Sequence, residues 1–155
     1  MLTPSSPGHQ TNLFGTDLLQ QLDPSDPLLR LAQVIPWPEL DQAFARHYTQ
    51  GLGRPAKPIR LMVGLLILKQ LENLSDEQVV LSWKRNPYYQ AFCGHTEFSA
   101  KLPCDSSELV HFRKRIGTDG IDKIFQLSVR LHGKAALEAT VNIDTTQLLW
   151  SAMLW

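Results

Sequence analysis

An unbroken apolar run at residues 61–68 (LMVGLLIL) constrains the fold of this chain more than any other feature of its sequence. Pro58 precedes the run and favours a helix start, and the helix is expected to end by Leu74. A helix that is apolar on nearly every side is normally buried at the centre of a bundle. The run is shorter than the roughly 18 residues that a spanning helix needs, so no membrane partner is expected. The sequence therefore predicts a mainly α fold, a soluble helical bundle around one central helix.

Caps and breaks divide the rest of the chain into further helices. Asp26-Pro27 marks one helix start, and Ser75 with Gln78 forms a capping box at another. Because the residue before Pro87 avoids the α region, a break is expected there. Helices are predicted at about 27–35, 37–48, 58–74, 75–85, 88–93, 106–116 and 118–133, with a loop at 95–104. Helices 58–74 and 75–85 meet through a very short turn, which is the sequence form of a helix-turn-helix and also of any αα-hairpin.

The segment at 105–117 (DSSELVHFRKRIG) predicts a short helix with two different faces. Asp105 or Ser106 caps its start, Glu108 completes a capping-box pattern, and Gly117 stops it. At about 100° per residue, Leu109, Phe112 and Ile116 share an apolar face. The opposite face is rich in hydrogen-bond donors and consists of Ser107, His111, Lys114 and Arg115, with Arg113 at the border. Such a face suits phosphates and base edges, although a solvated surface helix explains this segment equally well.

The net charge of the chain is zero, but the charge is unevenly distributed. Residues 51–134 hold thirteen Lys or Arg against eight Asp or Glu, whereas residues 1–50 and 135–155 are net acidic. The charge that attracts a polyanion is therefore confined to the middle of the chain. Candidates for phosphate contacts there, unless they are ordinary solvated positions, are Arg54, Lys57, Arg60, Lys84 and Arg85.

The cysteines and the N-terminus indicate a compartment. Cys93 and Cys104 are the two cysteines, and the N-terminus shows neither the basic nor the apolar region of a secretory signal. These features predict reduced thiols in a cytoplasmic protein. Two thiols with His95 nearby lack the four-ligand spacing of a zinc site.

The character of the sequence changes near residue 135. Residues 140–144 (TVNID) alternate as a β-strand does, and Asp144 stands at its end. One strand cannot pair its own backbone groups, so it is expected to begin a second domain. The chain thus divides into a loose tail at 1–22 with one amphipathic turn near Leu18, a helical domain at 23–134, and the start of another domain at 135–155. By itself, a strand-end Asp is more typical of a turn or a cap.

Four stretches, in this order, resemble the N-terminal part of bacterial insertion-sequence transposases of the insertion-sequence-five type, which have a DDE catalytic domain. They are GRPAKPIRLMVGLLILKQL at 53–71, LSDEQVVLSWKRNPYYQAFCG at 74–94, DSSELVHFRKRIG at 105–117 and VNIDTT at 141–146. The resemblance implies a helical domain that binds the terminal inverted repeats in double-stranded DNA, followed by a ribonuclease-H-like catalytic domain. It also implies that Asp144 is the first of three acids that together hold two Mg²⁺ ions.

After Asp144 the sequence departs from the family pattern. The eleven residues TTQLLWSAMLW contain no further carboxylate, and one carboxylate cannot hold two metal ions. We therefore expect a truncated copy with neither enzymatic activity nor a cofactor, unless a frameshift supplies the other acids. Its expected function is DNA binding through the helix at 106–116 and the phosphate-contact candidates. The alternative is a protein-interaction fragment that forms homo-oligomers, or mixed oligomers with full-length transposase, through the strand and the apolar tail at 147–155.

Overall fold

In a computed structural model, which describes residues 17–48 and 55–136, the chain is mainly α-helical. The described helices are α1 (Leu18–Gln21), α2 (Pro27–Val34), α3 (Trp37–Ala45), α4 (Ile59–Leu71), α5 (Asp76–Arg85), α6 (Pro87–Phe92) and α7 (Ser106–Ala136). No strand occurs within these two ranges. The strand predicted at 140–144, together with Arg54, Asp144 and the apolar tail, lies outside them. The helical part of the predicted fold is confirmed.

The central helix of the bundle is α4. Every residue from Leu61 to Leu68 is buried, and α3, α5 and α7 pack around this helix. A Cβ atom on Gly64 would lie 2.7 Å from the Sγ atom of Cys93, so the segment after α6 approaches the α4 backbone closely. None of the described helices is both long enough and apolar enough to cross a membrane. The predicted burial of the apolar run is confirmed.

Side-chain caps start α2 and α5 where the sequence predicts them. The Asp26 carboxylate accepts the Leu28 N–H at 2.8 Å, and Pro27 occupies the first turn of α2. Both halves of the capping box form at α5, since Ser75 Oγ accepts the Gln78 N–H and Gln78 Oε1 accepts the Ser75 N–H. Each cap satisfies a backbone donor that the helix itself leaves unpaired. Local sequence therefore sets these boundaries.

Four residues, 72–75, connect α4 to α5. Asn73 takes the left-handed region with a φ of 52°, and the Leu74 N–H donates to the Lys69 carbonyl at 2.9 Å. Asn tolerates this conformation better than most residues do, which suits a tight helix connection. A helix-turn-helix and a simple αα-hairpin share this geometry, so a DNA-binding helix-turn-helix stays a prediction.

The long helix α7 consists of two helical segments, 106–116 and 118–136, that meet at Gly117. The backbone of Gly117 is non-helical, with a φ of 63° and a ψ of −170°. This region of backbone space is open almost exclusively to glycine. The predicted stop at Gly117, with a new helix directly after it, is confirmed.

Residues 17–22 join the bundle, although the predicted domain division places them in a loose tail. Leu18 in α1 is buried, and its N–H donates to the Thr96 carbonyl at 2.8 Å. Leu18 packs with Leu29 and Ala91 in a small second apolar cluster. These contacts attach α1 to α2 and α6, and the domain division itself stays a prediction. The long-range contact with Thr96, which no local pattern reveals, is the reason for the difference.

Candidate nucleic-acid interface

The first segment of α7 is docked through its apolar side. Leu109, Phe112 and Ile116 are each at most 2% exposed, as the helical periodicity predicts. The ring of Phe112 meets the ring of Phe44 edge to face, with centroids 6.2 Å apart. This contact fixes α7 against α3 and determines which side of α7 faces outward.

The outward side of this segment carries Ser107, His111, Lys114 and Arg115, and all four residues are exposed. We call these four residues the α7 basic face. It offers a hydroxyl, an imidazole, an ammonium and a guanidinium group, which are the donor types that contact phosphates and base edges. The structure confirms the predicted exposure of the four residues, and their contact with DNA stays a prediction.

The end of α3 lies beside the α7 basic face. The guanidinium group of Arg115 sits 4.7 Å above the centre of the Tyr48 ring, a cation–π contact. Burial raises the pKa of Tyr48, and the Arg115 guanidinium partly opposes this effect. The turn that leads to Tyr48 also carries exposed Arg46. The sequence analysis did not include Arg46 among the DNA-contact candidates, because a single cation at a helix end is not distinctive in sequence.

Arg113, predicted to contact DNA, is held within the protein. Its guanidinium nitrogens Nη1 and Nη2 donate to the two carboxylate oxygens of Asp76, each at 2.8 Å. Lys69 donates to the same carboxylate at 2.8 Å. These hydrogen bonds hold the pKa of Asp76 down at about 2. The Asp76 cluster, consisting of Asp76, Lys69 and Arg113, thereby connects α4, α5 and α7 behind the basic face.

Arg60 also has partners within the fold. Its guanidinium group lies 4.7 Å from the centre of the Trp37 ring and donates from Nε and Nη2 to the Phe92 carbonyl at 3.3 and 3.2 Å. Burial lowers its pKa, an effect that the nearby Asp41 carboxylate partly opposes. Arg60 therefore connects α4 with α3 and α6. The DNA contacts predicted for Arg60 and Arg113 stay predictions, while the geometry assigns both residues a part in holding the bundle.

The remaining phosphate-contact candidates lie elsewhere. Lys84 and Arg85 are exposed in the last turn of α5. Lys57 is half-buried before α4, near enough to Cys104 to influence the pKa of that thiol. The structure therefore does not gather all the candidates on one helix, and the exposed ones lie on α7 and at the end of α5.

Comparison with known proteins identifies the family. The family described as "Transposase domain (DUF772)" matches residues 16–115, which span α1 to α6 and end at Arg115 of the α7 basic face. The chain belongs to this transposase-domain family. An uncharacterized protein of Rhizobium meliloti, ORF8 in the nfe locus, is 44% identical over 151 residues, which make up 94% of this chain and 72% of that protein. No solved structure matches.

Family membership indicates a function related to transposition and, in general, DNA as the partner of this transposase domain. The match ends at residue 115, so it does not extend to Asp144. The insertion-sequence-five type and the role of Asp144 as a catalytic acid stay predictions.

The thiols of the transposase domain are structural. Cys93 and Cys104 are free and buried, and burial raises the pKa of each thiol to about 12. The His95 ring packs edge-on against Trp83, with centroids 4.6 Å apart. Across residues 17–48 and 55–136, no three His, Cys, Asp or Glu side chains are grouped so that they could hold a metal ion. Because a thiol with such a pKa is protonated at neutral pH, neither cysteine acts as a nucleophile there.

Proposed function

We propose that this transposase domain binds the terminal inverted repeats of its element in double-stranded DNA, through the α7 basic face. The observation that carries the proposal is a helix docked by its apolar side that exposes Ser107, His111, Lys114 and Arg115 on the other. None of these four exposed positions carries a carboxylate that would repel phosphate. An α-helix fits the major groove of B-DNA, where sequence is read.

The four side chains have different parts in the proposed complex. Lys114 is a compact cation on a flexible stem and suits a phosphate oxygen. The planar fork of Arg115 suits two acceptors at once, such as O6 and N7 of a guanine. His111 lies one turn and Ser107 two turns N-terminal to these cations, and both supply shorter donors for neighbouring base edges.

The Asp76 cluster supports this arrangement from behind. Asp76 binds Arg113, which borders the basic face, and Lys69 of α4, and its carboxylate stays ionised down to a pH of about 2. The Arg113–Asp76 pair thereby restricts rotation of α7 about its axis, and this fixes the direction in which the four exposed side chains point. A fixed rotation matters because base reading fails when a side chain points a few ångströms away from its acceptor.

Catalysis by this chain alone is not part of the proposal. By resemblance, Asp144 is one of three acids that hold two Mg²⁺ ions, and residues 145–155 add no carboxylate. Asp144 lies outside the described residues, so no chemical step is assigned to it.

The proposal is tested by an electrophoretic mobility shift with a duplex of the inverted repeat that flanks the gene, and a scrambled duplex of equal composition as competitor. We expect the wild-type chain to bind the repeat more tightly than the scrambled duplex. We expect Arg115→Ala to bind the repeat more weakly and to reduce the difference in affinity between the two duplexes. Equal binding of the two duplexes would refute end recognition, and wild-type behaviour of the variant would refute the assignment to α7.

The alternative function, oligomerisation through the strand and the apolar tail, rests on residues 140–155, which lie outside the described ranges. It stays a prediction. Deleting residues 147–155 separates the two functions, because DNA binding through α7 survives the deletion whereas self-association through the tail does not. Sedimentation velocity of the deleted chain measures the second effect.

A further inference from the structure

Gln90 in α6 is a buried polar side chain with every polar atom engaged. It is 0% exposed. Its amide nitrogen Nε2 lies 3.1 Å from the Trp83 carbonyl, 3.4 Å from the Lys84 carbonyl and 2.8 Å from the Ser99 carbonyl. Its Oε1 atom accepts the Ser99 N–H at 2.7 Å. A polar group is buried at this depth only when it replaces all its hydrogen bonds to water, so Gln90 has a structural task here.

That task is to attach the loop between α6 and α7 to the end of α5. The Trp83 and Lys84 carbonyls belong to the last turn of α5, where helix carbonyls have no partner within the helix. Ser99 belongs to the loop, and Gln90 bonds it through both its N–H and its carbonyl. The Thr96 carbonyl is bonded in turn by Leu18 of α1. The loop has no secondary structure of its own and is nevertheless held at two places.

The attachment places the loop that carries Lys101 against the end of α5, which carries Lys84 and Arg85. Lys84 and Arg85 are exposed at the end of α5, and the same Gln90 nitrogen contacts the Lys84 carbonyl and the Ser99 carbonyl. Exposed Lys101 follows two residues after Ser99, and its N–H donates to Ser99 Oγ at 3.3 Å. The loop also carries Glu97, a residue that interacts with another group, and Asp105 directly before α7. We call Lys84, Arg85 and Lys101 the α5–loop surface.

Resting on the DNA-binding function proposed above, we infer that the α5–loop surface is a second DNA-contact site that binds backbone phosphates and that Gln90 positions it. Two of its three cations are lysines, which act on phosphate as point charges, and the surface comes from a helix end and a loop rather than a helix that enters a groove. The surface therefore adds affinity without reading sequence. Lys101 becomes a DNA contact that neither the sequence pattern nor the family match assigns.

Salt titration tests the surface directly. The probe is a fluorescein-labelled duplex of mixed sequence, and its anisotropy gives the affinity at several salt concentrations. The variant Lys84→Ala/Lys101→Ala is compared with Arg30→Ala/Lys123→Ala, which removes two exposed cations elsewhere on the bundle. Each lost phosphate contact lowers the slope of log affinity against log salt by about 0.9, so we expect the first variant to lose about 2 units and the control to lose none.

The outcomes separate this inference from the proposed function. If both double variants lose the same slope, general charge explains the effect and the α5–loop surface is refuted. If Lys114→Ala/Arg115→Ala weakens binding while Lys84→Ala/Lys101→Ala does not, the inference fails and the α7 function stands. If the wild-type chain binds no duplex at all, both fail.

The positioning role of Gln90 has its own test. Gln90→Met keeps the length of the side chain and removes its hydrogen bonds. We expect Gln90→Met to lower the slope of log affinity against log salt by as much as Lys101→Ala does. The double variant Gln90→Met/Lys101→Ala should lose no more slope than either single variant. Additive losses would refute positioning. If Gln90→Met does not fold, as judged by circular dichroism, Gln90→Asn replaces it, because the shorter amide cannot reach both Ser99 and the end of α5. It is combined with Lys101→Ala, and additive losses of salt slope again refute positioning.

Discussion

Replacing Asp76 by Asn removes the charge on which the attachment of α7 depends. The carboxylate accepts two hydrogen bonds from Arg113 and one from Lys69, all at 2.8 Å. Its side chain is 19% exposed, and that of Arg113 is 10% exposed. In the variant, a neutral amide faces two cations that are poorly solvated. An uncompensated charge in such a position destabilises a fold.

The lowered pKa of Asp76 sets the size of the effect. A fall from 3.8 to about 2 corresponds to about 2 kcal/mol of stabilisation of the folded state, and partial exposure reduces this to about 1–2 kcal/mol. Because the pKa is lowered on folding, this contribution is fully present above a pH of about 4. It is lost as the pH falls through about 2, below which the carboxylate is protonated in both states.

Urea unfolding followed by circular dichroism measures the effect, with Asp122→Asn on the exposed side of α7 as the matched control. At pH 7 we expect Asp76→Asn to lower the unfolding midpoint by about 0.5–1 M, from a loss of about 1–2 kcal/mol and an ordinary dependence on urea. The difference from the wild type should shrink as the pH falls from about 4 to about 2. A difference that is independent of pH, or equal to that of the control, would refute the role assigned to the cluster.

Three further predictions follow from contacts within the bundle. Arg60→Lys loses the two hydrogen bonds to the Phe92 carbonyl and the cation–π contact with Trp37, so we expect the free energy of unfolding to fall by about 1–2 kcal/mol. The slope of log DNA affinity against log salt should stay unchanged, and a reduced slope would show that Arg60 contacts phosphate. Gly117→Ala places a side chain at a φ of 63° and a ψ of −170°, so the folded state should lose about 1–3 kcal/mol of stability, measured by thermal unfolding. An unchanged melting temperature would contradict the break in α7. Cys93 and Cys104 should react with a thiol reagent at pH 8 only after unfolding, since burial raises each pKa to about 12; rapid reaction of the native chain would contradict their burial.

The features that local sequence determines were predictable. Ser75 and Gln78 cap α5, the run from Leu61 to Leu68 is buried, and Gly117 interrupts α7, because each depends on residues within a few positions along the chain. The exposure of the α7 basic face follows from the same helical periodicity. These features determine where the helices begin and end and which sides of them are buried.

The features that depend on tertiary packing were not predictable from one sequence. Arg113 and Asp76 lie 37 positions apart, and Arg60 and Phe92 lie 32 apart, so nothing in the chain indicates that these arginines have partners inside the protein. A cation looks the same in sequence whether it faces DNA or a carboxylate. The attachment made by Gln90 was missed for a related reason, because a single glutamine in a short helix normally lies on the surface.

The central claim is that the α7 basic face lies against duplex DNA, and site-specific photo-crosslinking tests it most directly. A benzophenone amino acid replaces His111 in one variant and, in two control variants, Arg30 or Lys123, which are also exposed. Each variant is bound to the labelled inverted repeat and irradiated. The account predicts a protein–DNA crosslink from position 111 and none from the two control positions. Intact DNA binding, with crosslinks from a control position and none from position 111, would contradict it.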